Sequence, residues 1–415
     1  MRVLHISTYD RGGGGAGIAA SRLMEAMNKI ESIDAKMLVL RKFSDDRNIF
    51  SMNDFRSSYF KYLNIVRQKL YNRLFSSLIR PQFPFSYSIS HISHIERIPI
   101  VMEADVLYIH WVQSCFLNIG DIYRLLQLGK PLYLFLHDMW FFTGGCHYSM
   151  DCVQWETGCK RCPIIQRTFM CSFSHFVLQK KNKMWNSCNI HVISPSLWLE
   201  ECSKKSLLFN NFTVVTIPNT LNDNVFDIMD KKRCRTILNL PQETKLVLFG
   251  ASGGTRNIFK GWEYTDMLMK RIKNNVELVV FGNSIEENSN YIVHSIGKLT
   301  DEYSMALLYN AVDVYISPTK AEAFGQTIAE SISCGTKVVA FNVGGVSDII
   351  NHLDNGYLAE KDNVDDLECG VKWVLNFHDN IKERERVHEN IKSRFSYSVV
   401  AKKHIDMINN CISTS

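Results

Sequence analysis

The chain has 415 residues, of which 46% are hydrophobic and 21% are charged, and this composition excludes disordered, collagen-like and low-complexity proteins. At about 100–200 residues per domain, the length predicts two or three globular domains. The N-terminus enters a short apolar segment without a cleavage site, and no apolar run is long enough to cross a bilayer. We therefore expect a cytoplasmic protein that is neither exported by a signal peptide nor membrane-spanning.

The formal net charge of +5 is unevenly distributed along the chain. Residues 1–218 contain 25 Lys and Arg against 16 Asp and Glu, which gives +9, whereas residues 219–415 contain 22 against 26, which gives −4. A basic first half indicates an anionic partner such as nucleic acid, a phosphorylated ligand or a membrane surface. Charge alone leaves these three open.

Short β-branched segments alternate with amphipathic helical segments along the chain. We predict strands at Val3–Ser7, Lys36–Leu40, Asp105–His110, Leu132–His137, His191–Ser194, Thr213–Ile217, Leu246–Phe249, Glu277–Phe281, Tyr291–Ile296, Asp313–Ser317 and Lys337–Phe341. Because these strands are apolar on both faces and are separated by helices, they favour parallel sheets covered on both sides. The predicted fold class is α/β, with two doubly wound, Rossmann-like domains. The segment IPNTLND places their boundary between residues 1–218 and 219–394.

A glycine-rich turn follows the first predicted strand, at Gly12–Gly17, and precedes a helix predicted at Ile18–Lys29. Glycines between a strand and a helix N-terminus let the backbone approach a ligand closely, and the free amides attract anions. Gly14 and Gly15 are therefore candidates for contact with a phosphate. A merely flexible turn is the alternative explanation.

A second glycine-rich loop, Gly250–Gly261, follows the strand Leu246–Phe249 and contains Arg256 and Lys260. Two cations at a helix N-terminus oppose the helix dipole, and a bound diphosphate would remove this conflict. The alternative is a solvated loop with incidental basic residues.

Residues 317–335 read SPTKAEAFGQTIAESISCG. Gly325–Thr327 is predicted to open a helix whose amides face a phosphate, with Gly335 at its C-terminal cap. Glu322 lies in the preceding loop and Glu330 on the helix, so the two carboxylates can meet different parts of one ligand. The alternative makes Glu322 a partner of the helix dipole and Glu330 a solvated surface residue.

These motifs resemble the GT-B glycosyltransferases of family 4. The resemblance rests on SPTKAEAFGQTIAE, on GTKVVAFNVGGVSDII, on the FKG turn and on the IPN segment. It implies two Rossmann-like domains facing a central cleft, a nucleotide-sugar donor held mainly by the second domain, and transfer with retention of anomeric configuration. It also implies a C-terminal helix, residues 395–415, that crosses back onto the first domain.

The resemblance also implies roles for particular residues. Lys260 and Arg256 would neutralise the diphosphate, Glu330 would hold the ribose hydroxyls, and Glu322 would meet the donor sugar. The remaining donor-binding candidates are Phe324 and Gly325 through their backbone, with Gln326 and Thr327 in the opening turn. His137, at a strand end in LFLHD, would lie near the sugar and acceptor, with Asp138 either orienting it or capping the next turn; a histidine satisfied by local backbone is the alternative. Since cations and amides can stabilise the leaving diphosphate, no catalytic metal is expected.

Four cysteines lie within a Gly-rich segment, at Cys146, Cys152, Cys159 and Cys162. Their closeness, with a final Cys-x2-Cys pair, fits a structural Zn²⁺ site, in which His147 could replace one thiolate. A redox pair or simple buried packing are the alternatives. A metal here would shape the acceptor side of the predicted cleft and would not be the catalyst.

Two stretches of the first half contain no acidic residue, at Phe55–Ile95 and Thr157–Leu199. The first predicts a helix with Leu63, Val66 and Leu70 on its apolar face and basic residues elsewhere, which either lies on an anionic bilayer or covers the domain with a solvated basic face. A polyprenyl-diphosphate-linked saccharide acceptor at the cytoplasmic membrane face would match both the charge and the apolar surface.

The leading hypothesis is a glycosyltransferase that extends a cell-surface polysaccharide precursor. The same fold also leaves open a sugar-nucleotide epimerase or a phosphorylase. A zinc-containing nucleic-acid-binding protein is disfavoured, because the paired carboxylates and the second glycine loop lie in an acidic half that would repel a polyanion. We therefore expect a sugar donor and a saccharide acceptor as partners, and no nucleic acid.

Overall fold

A computed structural model describes residues 1–55, 63, 65–67, 69, 70, 73, 83–90, 94–165, 172–186, 188–251, 257–272, 275–282, 290–377 and 380–413. The chain divides into two compact units. The first contains Met1–Pro218 and Val400–Ser415, and the second contains Asn219–Val399.

The first unit is built on a seven-stranded sheet with the order β3-β2-β1-β4-β5-β6-β7. All its strand pairs are parallel. The strands are β1 (Arg2–Tyr9), β2 (Asp34–Arg41), β3 (Ile49–Ser51), β4 (Val106–Ile109), β5 (Leu132–Phe135), β6 (His191–Ser194) and β7 (Val214–Thr216). The helices of this unit are α1 (Gly15–Met27), α2 (Pro99–Glu103), α3 (Ile119–Leu126), α4 (Ser172–Trp185), α5 (Leu197–Lys205) and the C-terminal α12 (Tyr397–Ser413), which begins in the second unit.

The second unit contains a six-stranded parallel sheet with the order β10-β9-β8-β11-β12-β13. Its strands are β8 (Lys245–Ala251), β9 (Val276–Gly282), β10 (Val293–Gly297), β11 (Val314–Ser317), β12 (Val338–Phe341) and β13 (Gly356–Ala359). Its helices are α6 (Lys231–Ile237), α7 (Trp262–Arg271), α8 (Glu302–Ala311), α9 (Gln326–Ser333), α10 (Val364–Leu375) and α11 (Ile381–Phe395).

Both sheets have the Rossmann strand order. The first strands of each unit are added on one side of its first strand, and the chain then crosses to add the later strands on the other side. This reversal lies between β1 and β4 in the first unit and between β8 and β11 in the second. Ligands of such sheets bind outside the carboxyl ends of the strands at this switch point. The predicted fold class, two doubly wound parallel α/β domains, is therefore confirmed.

Several predicted element boundaries are corrected by the structure. The two short edge strands, β3 and β13, are absent from the prediction, because segments of three and four residues carry little periodicity. The strand predicted at Leu132–His137 ends at Phe135, so His137 lies two residues beyond it. Helix α1 begins at Gly15, three residues before the predicted start, which places the last glycines of the turn inside the helix N-terminus.

The core of each unit lies between its sheet and its helices. In the second unit Val247 and Val279 on the neighbouring strands β8 and β9, and Val339 on β12, are fully buried and belong to one apolar cluster. Val106 and Tyr133, on the neighbouring strands β4 and β5, are fully buried in the core of the first unit. Burial on both faces explains why these strands lack polar alternation.

The C-terminal segment returns to the first unit later than predicted. Phe395, the first residue of the predicted crossing segment, ends α11 and packs in the core of the second unit, with its ring against Phe324. From Val400 the chain belongs to the first unit, where Val400 and Ile408 join the core. The predicted start at 395 is thus five residues early. No helix within the described part of the chain has the length and apolar character needed to span a membrane.

Candidate functional site

The FKG turn is fixed against the loop that leaves β11. The carbonyl oxygen of Phe259 accepts hydrogen bonds from Lys320 N at 2.9 Å and from Thr319 Oγ1 at 2.8 Å. Gly261 has φ +69°, and a Cβ there would lie 1.9 Å from the carbonyl oxygen of Pro318. Only glycine fits this close approach. The turn therefore holds Lys260 at the carboxyl end of β11.

Lys260 and Glu322 form an ion pair in the second unit. The Lys260 Nζ lies 3.2 Å from Glu322 Oε2, and their side chains are 33% and 21% exposed. The carboxylate of Glu322 raises the pKa of Lys260, against the lowering effect of burial. The two residues are 62 positions apart in sequence, yet the structure brings them together at the switch-point edge of the sheet. A fixed cation is therefore available there for an anionic ligand.

The backbone of Glu322 is held by the glycine pair in NVGGVSD. Gly345 N donates to the carbonyl oxygen of Glu322 at 2.9 Å. Gly344 has φ +57°, and a Cβ on it would lie 1.9 Å from that same oxygen. The motif after β12 therefore positions Glu322 through close backbone packing.

Helix α9 begins directly after this loop, with Gly325 at its N-cap and φ +109°. Phe324 is 3% exposed, so its ring serves the core and only its backbone is available to a ligand. The Gln326 side chain donates to the carbonyl oxygen of Thr220 at 3.2 Å, and Thr327 Oγ1 accepts from Tyr315 at 3.0 Å. Both side chains thus make internal contacts, and the free amides of the first turn are the groups that suit a phosphate.

Glu330 is a buried carboxylate, 5% exposed. It accepts a hydrogen bond from the Tyr309 hydroxyl at 3.1 Å. The interpretation of Glu330 as a solvated surface residue is therefore wrong. A carboxylate is costly to bury unless it is hydrogen-bonded, and the Tyr309 hydroxyl supplies such a bond in the second turn of α9.

Arg256, the second predicted cation of the glycine loop, lies outside the described residues. The structure describes the loop again from Asn257, whose side chain accepts from Phe259 N at 3.1 Å. The role of Arg256 stays a prediction.

Gly14 and Gly15 lie in the first unit, at the carboxyl end of β1 and the N-terminus of α1. Both are exposed, and a Cβ added at either would meet no described atom within 4 Å. Gly14 has φ +106°, which favours glycine. Asp10 supports the turn, because its side chain accepts from Gly12 N and from Phe43 N. The turn therefore leaves open space above a helix N-terminus.

His137 is the outer member of a row of three histidines in the first unit, in which His137 and His110 lie just beyond β5 and β4 and His5 lies within β1. Its Nε2 lies 2.9 Å from Nδ1 of His110, and Nε2 of His110 lies 2.9 Å from Nδ1 of His5. Burial lowers the pKa of His137 to about 4 and that of His5 to about 3. The row is therefore neutral near pH 7, which excludes His137 as a cation there. Its ring contacts another side chain, so the backbone-only alternative is wrong.

Asp138 does not hydrogen-bond to His137. Its Oδ1 accepts from Trp140 N at 2.8 Å, and its Oδ2 pairs with His147 Nδ1 and accepts from Trp111 Nε1. Asp138 thus caps the next turn, as one of the two sequence alternatives stated. Because His147 Nε2 also lies 2.8 Å from Ser86 Oγ, both ring nitrogens have partners. His147 is therefore not placed to replace a thiolate, and that alternative is wrong.

The four predicted zinc ligands lie around one cavity. Cys146, Cys152, Cys159 and Cys162 all line one small cavity, and all four are free thiols. Burial raises the pKa of Cys146 and Cys152, and raises that of Cys159 to about 11. As the side chains stand, no group of three or more His, Cys, Asp or Glu residues in the described ranges has the arrangement of a metal site.

Most of the first acid-free stretch lies outside the described residues. Within it, residues 65–67, 69 and 70 are helical, and Ile65, Val66 and Leu70 are 45%, 42% and 55% exposed. Arg67 and Lys69 are exposed beside them. In the second stretch, Lys181 is fully buried, so it does not contribute to a basic surface.

The residues that the sequence analysis missed are His5 and His110. His5 is the fourth residue of β1, and His110 directly follows the last residue of β4. The three histidines line up only because β1, β4 and β5 are neighbours in the sheet. The sequence feature that indicates this row is the recurrence of histidine in the strand segments LHIST, YIHW and LFLHD.

Residues 230–394, which make up most of the second unit, are similar to the family "Glycosyl transferases group 1". The ion pair of Lys260 with Glu322, helix α9 and Glu330 all lie within this matched region.

A relative of known sequence is an uncharacterized glycosyltransferase of Methanocaldococcus jannaschii. It is 27% identical over 243 residues, which cover 54% of this chain and 60% of the relative. For a second relative, from Haemophilus influenzae, the matched region is 49% of its length. The chain thus spans about half to three fifths of the curated relatives that it matches first.

Among the similar solved structures, two align over almost the entire chain. WaaG, a glycosyltransferase involved in lipopolysaccharide biosynthesis, has a TM-score of 0.61 at 12% identity, with 98% of this chain and 99% of WaaG covered. HepE of Anabaena, solved in complex with UDP-glucose, has a TM-score of 0.59 at 13% identity, with coverage of 99% and 100%. At such identities these likenesses show the fold, and the chain has the GT-B glycosyltransferase fold.

Proposed function

We propose that this protein is a family 4 glycosyltransferase that moves a sugar from a nucleoside-diphosphate-sugar to a saccharide acceptor, with retention of anomeric configuration. The observation that carries the proposal is the Lys260–Glu322 pair, 3.2 Å apart at the carboxyl end of β11 and beside the N-terminus of α9. It places a cation, a carboxylate and free helix amides within one loop cluster of the second unit.

The main chemical task of glycosyl transfer is to stabilise the departing diphosphate. Lys260 supplies a positive charge that is held by the FKG turn, and the α9 amides supply fixed donors. Preorganised groups of this kind stabilise developing negative charge without reorganisation. We expect donor binding to draw Lys260 from Glu322 toward the diphosphate, which frees the carboxylate for the hydroxyls of the donor sugar. The transfer then needs no catalytic metal.

Glu330 is proposed to hold the ribose of the donor. Its carboxylate is buried and already fixed by Tyr309, so it can accept hydrogen bonds from a hydroxyl pair with little loss of side-chain entropy. Gly14 and Gly15 are proposed to admit the donor phosphates or the acceptor to the open α1 N-terminus.

His137 is proposed to contact the donor sugar or the acceptor as a neutral hydrogen-bonding group. A row of neutral imidazoles must point all its N–H groups in one direction. If they point toward His137, only a lone pair of His5 Nε2 lacks a partner, whereas the reverse direction leaves a buried N–H there. We therefore expect His137 to carry its proton on Nδ1 and to donate it to a ligand oxygen.

The acceptor is proposed to be a polyprenyl-diphosphate-linked saccharide of a cell-surface polysaccharide, used by a protein that is peripheral to the cytoplasmic membrane face. Exposed Val66 and Leu70 alternate with Arg67 and Lys69, which suits an anionic bilayer. The cationic first unit supports the same partner. A lipid-linked acceptor would require both the apolar contact with the bilayer and the electrostatic contact with anionic groups.

The test begins with calorimetric binding of UDP, GDP and ADP sugars to the full chain. The donor that binds is then incubated with lipid-linked saccharides, and release of the nucleoside diphosphate and the anomeric configuration of the product are measured by chromatography and NMR. We expect release that depends on the acceptor and a retained anomer. Conversion of the donor to its epimer without acceptor, or turnover that requires inorganic phosphate, would replace the proposal by an epimerase or a phosphorylase.

A further inference from the structure

The cysteine segment is tightly packed around its thiols. Cys146 and Cys159 are buried, and Cys152 and Cys162 are partly buried around the same cavity. Gly145 has φ +139°, and a Cβ there would lie 2.4 Å from the ring of Phe85. The backbone is therefore folded closely enough to bring together sulfur atoms from four positions spread over 17 residues.

The backbone turn that carries Cys159 is tightly closed. Cys159 has φ +54°, and its N–H donates to the Gln154 carbonyl at 2.6 Å. Gln154 and Cys159 both line the cavity, so this hydrogen bond fixes one part of its wall.

A buried lysine beside the thiols provides the independent observation. Lys181, on α4, is 0% exposed, and its Nζ donates to the carbonyl oxygens of Trp140 and Thr143, the latter at 2.9 Å. It also lies 3.8 Å from the centre of the Trp140 ring. Among the described residues no carboxylate forms an ion pair with it. A buried ammonium normally has an anionic partner, because its desolvation is costly.

Lys181 is anchored beside the cysteine cavity. Its hydrogen-bond partner Thr143 directly precedes Gly144, which lines the cavity, and Ser174 on the same helix α4 lines it as well. A cluster of four thiolates around a divalent cation retains two negative charges, and a neighbouring ammonium would balance one of them.

We infer that Cys146, Cys152, Cys159 and Cys162 bind one structural Zn²⁺ and that Lys181 balances the charge of the complex. Binding replaces four S–H bonds by four Zn–S bonds, and four protons pass to solvent. Since the thiols line the cavity without yet forming a metal-binding arrangement, the side chains must converge as they bind, which couples metal binding to ordering of the loop. Four sulfur ligands select Zn²⁺ or an iron–sulfur cluster, and the small cavity favours a single ion.

The role of the ion would be structural. The cysteine segment follows His137 and Asp138, and its N-terminal part is anchored by the Asp138 pair with His147. Zinc would fix the other end of the same loop. The catalytic proposal does not depend on it, because the ion would contact no donor-binding residue named above.

The first experiment uses the full chain without any affinity tag, purified without chelator and dialysed against metal-free buffer. We expect about one zinc per chain by elemental analysis, and replacement by Co²⁺ should give the absorption of a tetrahedral thiolate site. Native alkylation should spare four thiols that become reactive after chelation. Absence of stoichiometric zinc, iron in its place, or four reactive thiols in the native protein would overturn the inference.

Variants then test the ligands and the lysine separately. Cys159→Ser should lose the metal, whereas Cys202→Ser, a partly buried cysteine of α5 outside the cavity, should keep it. Lys181→Met should retain zinc but lose it at about tenfold lower chelator concentration. Chelator resistance equal to that of the unmodified protein would reject the charge-balancing role. Should Cys159→Ser fail to fold, the metal content and Co²⁺ spectrum of the unmodified chain still decide the site, and nucleotide binding tests the proposed function independently.

Discussion

The imidazoles of His110 and His137 lie 2.9 Å apart, between Nδ1 of the first and Nε2 of the second. His110 is fully buried and contacts His5 on its other side, so it has no route to solvent or substrate. His110 therefore positions His137 and selects which of its nitrogens carries the proton.

We expect His110→Phe to lower turnover by about tenfold or more while nucleoside-diphosphate affinity is kept, since the ring is filled but the hydrogen bond to His137 is lost. His110→Gln, which retains a donor and an acceptor, should recover part of the loss. The measurement is kcat and KM with calorimetric UDP, GDP or ADP binding. His191→Phe, on β6 of the same unit, is the control, and equal losses in both would reduce His110 to a packing role.

Lys260→Ala and Glu330→Gln should each weaken binding of the nucleoside diphosphate by about tenfold or more. The first removes the cation held at the loop, and the second removes the charge from a buried acceptor, with charged hydrogen bonds worth about 1.5–3 kcal/mol. Isothermal calorimetry provides the affinity. Lys270→Ala, an exposed lysine on α7 paired with Asp266, should bind as the unmodified protein does. Unchanged affinity in both test variants would remove them from the donor site.

Glu322→Gln should show the opposite pattern. We expect turnover to fall while nucleoside-diphosphate affinity is kept or rises, because Lys260 loses its competing carboxylate. Steady-state kinetics beside calorimetry separates the two effects. His137→Ala should likewise lose turnover at unchanged affinity, and wild-type turnover in either variant would exclude that residue from the active site.

Gly261→Ala should destabilise the second unit and abolish tight nucleotide binding. A Cβ would lie 1.9 Å from the Pro318 carbonyl oxygen, so the FKG turn must move and carry Lys260 with it. Gly297→Ala is a matched control, since Gly297 also has a positive φ, +81°, but its Cβ would meet no described atom within 4 Å. The control should cost only the strain of the backbone, about 1–2 kcal/mol. Urea unfolding and calorimetry together test this, and equal behaviour of the two variants contradicts it.

Buried histidines predict that stability falls in mild acid. Burial lowers the pKa of His5 to about 3, of His137 to about 4 and of His404 to about 3, whereas in the unfolded chain they titrate near 6.5. Below that pH the unfolded chain binds protons that the folded chain does not. The free energy of unfolding should therefore decrease as pH falls from about 6.5 to about 4, by up to about 1.4 kcal/mol per pH unit for each histidine.

Urea unfolding between pH 7 and 5 measures this slope. His5→Leu should give a shallower slope than the unmodified protein, because one buried imidazole is removed. His352→Leu, an exposed histidine of the second unit, should leave the slope unchanged. An identical slope in all three proteins would show that His5 binds protons alike in the folded and the unfolded chain.

The architecture and the second-unit motif could be predicted well from local pattern. Buried parallel strands are apolar throughout, so the segments that contain Val247 and Val339 can be recognised as strands from the sequence. From the sequence, the loop glycines could be predicted only as flexible or ligand-facing. The structure explains why Gly261 and Gly344 must be glycine, because a carbonyl oxygen approaches each of them too closely for a Cβ. The short edge strands and the start of α1 were missed because a few residues carry too little periodicity.

The sequence by itself determined the α/β class, the two parallel sheets and the segment containing Glu322 and Glu330, because strand burial, helix periodicity and loop composition are local properties. Only the tertiary structure decided which partners these residues meet. The pairing of Lys260 with Glu322 across 62 positions, the row from His5 through His110 to His137, and the burial of Lys181 beside the cysteine cavity all depend on strand order and helix packing. Strand neighbours are chosen by the whole sheet, and no single segment of sequence contains that information.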